Sequence, residues 1–141
     1  MTINKNNSQN PTHIKDSRVK NKMKNSNSPA TGYHLIAELH GCPKELLEKV
    51  DILKEILMGS AKDAGFDIVN DAFYQFEPVG ATGVVVLSAS HISAHTWPEF
   101  NYVALDIYSC GGAERAKKAF DLCVKRFKSK KFEVKEVLRF R

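Results

Sequence analysis

Cysteine is scarce in this chain. There are three, Cys42, Cys110 and Cys123, among 141 residues. The count is odd and no C-x-x-C occurs, which argues against a disulfide framework and for a reducing cytoplasm. No apolar run approaches the roughly 20 residues that a membrane-spanning helix needs. The first thirty residues contain no apolar h-region, so they do not read as a secretory signal. There is no internal repeat of short fixed period, and no G-x-S-x-G elbow of the kind that carries a hydrolase nucleophile.

Net charge of one sign is also lacking where a nucleic-acid binder would need it. The chain as a whole is +5. Residues 1–31 hold Lys5, Lys15, Arg18, Lys20, Lys22 and Lys24 against the single acid Asp16, which already accounts for +5. The remaining 110 residues are balanced, with fifteen basic and fifteen acidic side chains. A footprint for a phosphate backbone belongs on the folded body or on a dedicated arm. This stretch is instead rich in Asn, Ser and Lys with little to bury, so ordering it would not repay its entropy. The expected organisation is a disordered basic tail, 1–31, followed by one domain, 32–141, with neither nucleic acid nor membrane as partner.

What is present is a pattern of strands and helices. "YHLIAEL" (33–39) reads as a strand. From Lys44 to Ala64, Leu46, Leu47, Val50, Leu53, Ile56, Leu57 and Ala61 recur at helical spacing, with Gly65 as C-cap. A strand through "FDIVNDAFYQFEP", a turn at "VGATG" and the β-branched run "VVVLSA" (84–89) follow. "YVALDIYSC" (102–110) alternates as a strand. A second helix covers about 112–128, with Ala116, Ala119, Phe120, Cys123 and Phe127 inward, and "KFEVKEVLRF" closes the chain as a strand. Consecutive strands imply hairpins. The expected fold is therefore α+β: a largely antiparallel sheet with two helices on one face, the other face packed in a dimer.

Between two of these strands lies "SASHISAHTWPEFNYVALDIYSC" (88–110), dense in reactive side chains. Read singly, each is more often structural. A zinc site could draw on His91, His95 and, folded back on the next strand, Cys110, but it is disfavoured, because a strand or loop does not set His91 and His95 side by side on one face as a helix does, Pro98 argues against a helix, and no carboxylate or second cysteine completes the shell. Ser90 with His95 could supply a nucleophile and its base, but generic hydrolase geometry has no further support.

The order and spacing of "YHLIAELHGC", "FYQFEPVGATGVVVLSAS", "SHISAHTWPE" and "YVALDIYSCGG" resemble the pyruvoyl-dependent S-adenosylmethionine decarboxylase proenzymes of the short bacterial and archaeal type, over most of residues 32–141. The resemblance implies autocatalytic cleavage between Ala89 and Ser90. The Ser90 hydroxyl attacks the Ala89 carbonyl, the ester eliminates, and a pyruvoyl group is left on residue 90 as the cofactor. That group takes the substrate's amine as a Schiff base and serves as the electron sink for loss of carbon dioxide. On the same resemblance His95 is the processing histidine, Thr82 supports processing through its hydroxyl, and Cys110 is the catalytic acid. Phe76 and Trp97 flank the nucleoside, and Glu99 binds ribose hydroxyls. The implied product is the aminopropyl donor of polyamine (spermidine) biosynthesis, made by a cytoplasmic homodimer of processed protomers. Cys42 and Cys123 are expected to be structural.

Two positions depart from the family pattern. Ala89 stands where glutamate is usual, and Thr82 where serine is usual. The missing carboxylate bears on processing rate and on how substrate is held. Pyruvoyl-dependent arginine or ornithine decarboxylation on the same fold is the alternative, and an unprocessed regulatory paralogue is a third reading.

Overall fold

A computed structural model describes residues 31–140. The tail expectation for the residues before Thr31 lies outside them. The described chain runs β1 (Thr31–His40), a 3-10 turn at Lys44–Leu46, α1 (Val50–Asp63), β2 (Ile68–Gln75), β3 (Ala81–Leu87), β4 (Ser90–Trp97), a second 3-10 turn at Pro98–Phe100, β5 (Tyr102–Ser109), α2 (Ala113–Arg126) and β6 (Lys131–Phe140). The strands form one six-stranded sheet in the order β2-β3-β4-β5-β1-β6. Every neighbouring pair is antiparallel.

The core lies between one face of this sheet and the two helices. Alternation sends Tyr33, Leu35, Ala37 and Leu39 of β1 inward, together with Val103, Leu105 and Ile107 of β5 and Ile92 and Ala94 of β4. Leu53, Ile56, Leu57 and Ala61 of α1 meet them, as do Ala116, Ala119, Phe120 and Cys123 of α2. Burial pushes the Cys123 thiol up to about 11 and also raises that of Cys42, which fits inert core roles for both. Helix α1 ends as expected: Gly65 takes φ +86°, and the Phe66 N–H reaches back to the Ala61 carbonyl, the closing bond of a glycine C-cap.

The structure corrects the sequence reading in two places. The helix expected from Lys44 begins only at Val50. Lys49 is extended, and the Val50 N–H donates to Gln75 Oε1 at 2.7 Å instead of to its own chain segment. Gln75 Nε2 also donates to the carbonyls of Glu48, Phe76 and Gly80. One side chain from β2 thus breaks the helical run and fixes the loop after β2. The second correction is "SHISAHTW", which is a full strand in the middle of the sheet, giving six strands where the sequence suggested five. Its core face is supplied by the small residues Ala94 and Thr96 beside Ile92, so it lacks the apolar signature of a central strand.

The face away from the helices carries His34, Ile36 and Glu38 of β1, His91, Ser93, His95 and Trp97 of β4, and Tyr102, Asp106 and Tyr108 of β5, as their pairing registers require. No described helix covers it. None of the described helices is long and apolar enough to cross a membrane.

Candidate active site

The hairpin between β3 and β4 has a loop of two residues, Ser88 and Ala89, closed by the pair Leu87–Ser90. Ser90 is therefore the first residue of β4, and the Ala89–Ser90 peptide lies where the loop enters the sheet. The Ala89 carbonyl accepts a hydrogen bond from the Cys110 backbone N–H at 3.1 Å. This is the carbonyl that a Ser90 hydroxyl would attack. A donor already on that oxygen stabilises the negative charge that attack would place there. Cys110 itself is half-buried and stands just past the end of β5. Gly111 and Gly112 follow, the latter at φ +102°, and turn the chain into α2.

The other predicted residues collect at the opposite end of the sheet. Thr82 and His95 are cross-strand partners in β3 and β4. The Thr82 hydroxyl and His95 Nδ1 are 2.9 Å apart, so one ring nitrogen is held and the other faces outward. Trp97 lies two residues on, its ring 6.2 Å from that of His95 and 5.3 Å from that of Tyr102. Tyr102 stacks on His40 and donates its hydroxyl to Glu38. Burial first, with Glu133 and Asp106 adding and His40 opposing, raises the Glu38 carboxyl above its ordinary value. Phe76 sits at the same end. A Cβ on Gly80 would stand 3.9 Å from Phe76 and 3.4 Å from the Thr96 carbonyl, so this glycine lies between the Phe76 turn and the end of β4. Phe76 and Trp97 are both partly exposed, at 48% and 37%. Glu99 is exposed on the 3-10 turn after β4.

The candidate residues therefore form two groups on one sheet. Ala89, Ser90 and Cys110 make one, and Thr82, His95, Trp97, Phe76 and Glu99 the other. Ser90 and His95 are five residues apart on the same straight strand, about 17 Å at the rise of an antiparallel strand. The structure does not bring them together within one chain. His91 and His95 do share the open face, but at about 13 Å they exceed the span of one ion's ligand shell. His91 belongs to a separate cluster, stacked on Tyr108 at 5.7 Å beside the His34–Asp106 pair at 3.0 Å. Burial, then His34, lowers its pKa. The Cys110 N–H was not legible as a site residue, because a backbone donor leaves no mark in a sequence.

The site thus sits on a single antiparallel sheet with two helices on one face, where a serine opens the strand after a two-residue loop. The comparisons give the particular family. The family model described as S-adenosylmethionine decarboxylase matches residues 33–140, and the chain belongs to that family of carboxy-lyases. It is 44% identical over 108 residues to an S-adenosylmethionine decarboxylase proenzyme of Fervidobacterium nodosum, covering 77% of this chain and 79% of the relative. It is 40% identical over 108 residues to the proenzyme of Thermococcus gammatolerans, covering 77% and 76%. Among solved structures, the adenosylmethionine decarboxylase of Aquifex aeolicus superposes with a TM-score of 0.74 at 34% identity, over 78% of this chain and 91% of that one.

Proposed function

We propose that this chain cleaves itself between Ala89 and Ser90, and that the resulting pyruvoyl enzyme decarboxylates S-adenosylmethionine to the aminopropyl donor for spermidine synthesis. The observation that carries the reading is the Cys110 N–H on the Ala89 carbonyl, with a serine as the next residue. In the first step the Ser90 Oγ–C bond to Ala89 forms and the C–N bond breaks. The Oγ proton ends on the Ser90 nitrogen, and the amide becomes an ester. Removal of the Ser90 α-proton expels residues 1–89 as a carboxylate, and hydrolysis of the dehydroalanine releases ammonia. Ser90, held at the entrance of β4, fits the group this chemistry would leave. The pyruvoyl group supplies an electron sink when formed. The Cys110 thiol then stands at the same end of the sheet to return a proton to the substrate carbon.

The two groups of site residues support a further part of the reading. His95 is oriented by Thr82 but lies about 17 Å along the strand from the Ala89–Ser90 peptide of its own chain. We infer a two-fold dimer that packs the open sheet faces together, so that the Ala89–Ser90 backbone at the end of one protomer's β4 lies over the His95 end of its partner, the Ser90 side chain itself being on the helix-facing side with Ser109. An isologous interface makes both composite sites at once. It also brings Phe76, Trp97 and Glu99 to the substrate, two of them aromatic faces suited to adenine and a sulfonium. The uncovered Ile36, Val86 and Trp97 gain the cover they lack. A soluble, cytoplasmic enzyme with a small-molecule substrate is consistent with this picture.

The substrate is tested by release of labelled carbon dioxide from S-adenosylmethionine, arginine and ornithine on cleaved protein. Release from S-adenosylmethionine alone is expected. Release from arginine or ornithine in its place overturns the substrate assignment.

A further inference from the structure

We propose that Ser109 is a positioning residue for self-cleavage, holding the Ser90 hydroxyl for its attack on the Ala89 carbonyl. The inference rests on the cleavage reading above and adds a residue to it. Ser90 and Ser109 are direct cross-strand partners in β4 and β5. The neighbouring pair, Ala89 and Cys110, is joined by the N–H to carbonyl bond at 3.1 Å. Hydrogen-bonded and non-hydrogen-bonded pairs alternate along an antiparallel ladder, so Ser90–Ser109 is a close, non-hydrogen-bonded pair, with Cα atoms about 4.5 Å apart and side chains on one face. Of the two described cross-strand partners of Ser90, Leu87 and Ser109, only Ser109 carries a hydroxyl.

The surroundings of Ser109 are those of a fixed group. It is 1% exposed, at the end of β5 where the other inward positions are apolar. A buried hydroxyl at such a position is costly unless it is satisfied. Its Oγ accepts the Gly111 N–H at 3.3 Å, which leaves a second lone pair and the O–H for another partner. Rotation about the Ser90 Cα–Cβ bond brings the Ser90 hydroxyl to it across the pair. The two strand ends then act together: the Cys110 N–H holds the carbonyl oxygen, and the Ser109 side chain one residue earlier holds the nucleophile. Once Ser90 has become a pyruvoyl group there is no hydroxyl left to hold, so the role of Ser109 ends with processing.

The test follows self-cleavage of the full chain by intact mass. Ser109→Ala is expected to slow cleavage at least tenfold. Ser109→Thr, which keeps the hydroxyl, is expected to restore it to within about threefold of wild type. Hydroxylamine, which cuts esters and spares amides, is expected to release no extra fragment from Ser109→Ala, because ester formation is the slowed step and the ester does not accumulate. Ser109→Ala protein that has finally cleaved is expected to turn over within about twofold of wild type, which a general packing defect would not allow. If Ser109→Ala fails to fold, Ser109→Cys fills the same space with a weak donor and is expected to be slow as well. Wild-type cleavage by a folded Ser109→Ala or Ser109→Cys chain overturns the proposal. Absence of cleavage in the wild-type chain overturns the underlying cleavage reading instead, so the two failures are distinct.

Discussion

Cys110 offers two separate chemical groups to the same site. Its backbone N–H holds the Ala89 carbonyl, while its side chain is the proposed acid for turnover. A substitution that changes only the side chain therefore divides the two functions. Cys110→Ala keeps the N–H, and its self-cleavage is expected to stay within a few-fold of wild type. Decarboxylation is expected to fall by about 10²-fold or more, the usual contribution of a positioned general acid. Intact mass reads the first outcome and carbon dioxide release the second. Loss of cleavage in Cys110→Ala would show that the thiol, not the backbone, serves the first step. At this scale the sequence, through its family resemblance, points to side chains such as Ser90, His95 and Cys110. It was silent on the N–H that clamps the carbonyl and on Ser109, which reads as one more polar strand residue.

The strand β4 positions both groups of site residues, and a buried hydroxyl ties it to its surroundings. Thr96 Oγ1 accepts the Ala81 N–H at 2.9 Å and donates to the Leu47 carbonyl at 2.8 Å. It joins β3, β4 and the segment before α1 at the end of the sheet that carries His95 and Trp97. Thr96→Val keeps the shape and leaves two buried backbone groups unpaired, at a cost of about 1–3 kcal/mol. The expected result is a melting temperature several degrees lower by calorimetry, and an unchanged melting temperature would contradict the assignment. The strands β1 and β5 and the helix α2 were legible in the sequence because each shows a clean alternation or a clean helical face. The strand β4 was not, because its inward residues are mostly small and its outward residues mimic a polar loop. The break before α1 was also hidden, since it depends on Gln75, twenty-five residues downstream in the chain.

Within one protomer, Ser90 and His95 lie about 17 Å apart along β4, and the proposed two-fold pairing would bring them together. This makes a prediction about mixtures. A Ser90→Ala chain has no nucleophile, and a His95→Ala chain has no base, so neither is expected to complete cleavage alone. In a mixed dimer, the Ser90 of the His95→Ala chain meets the His95 of its partner. Co-expression of the two, distinguished by tags, is expected to yield cleavage of the His95→Ala chain only. Cleavage of His95→Ala by itself, or no cleavage in the mixture, would contradict the composite site. The fold class was readable at this scale from the order of elements. The division of the site was not, because spacing along a chain does not say which residues a straight strand keeps apart.

The claim on which all of this depends is that the chain cuts itself before Ser90. Intact mass of the purified full-length chain, with the Ser90→Ala variant beside it, tests that claim most directly. The account predicts two fragments in the wild-type protein, one ending at Ala89 and the other beginning with residue 90 carrying a keto group in place of its amine, and a single species in the variant. A single uncut species in mature wild-type protein, or a cut Ser90→Ala chain, would contradict it.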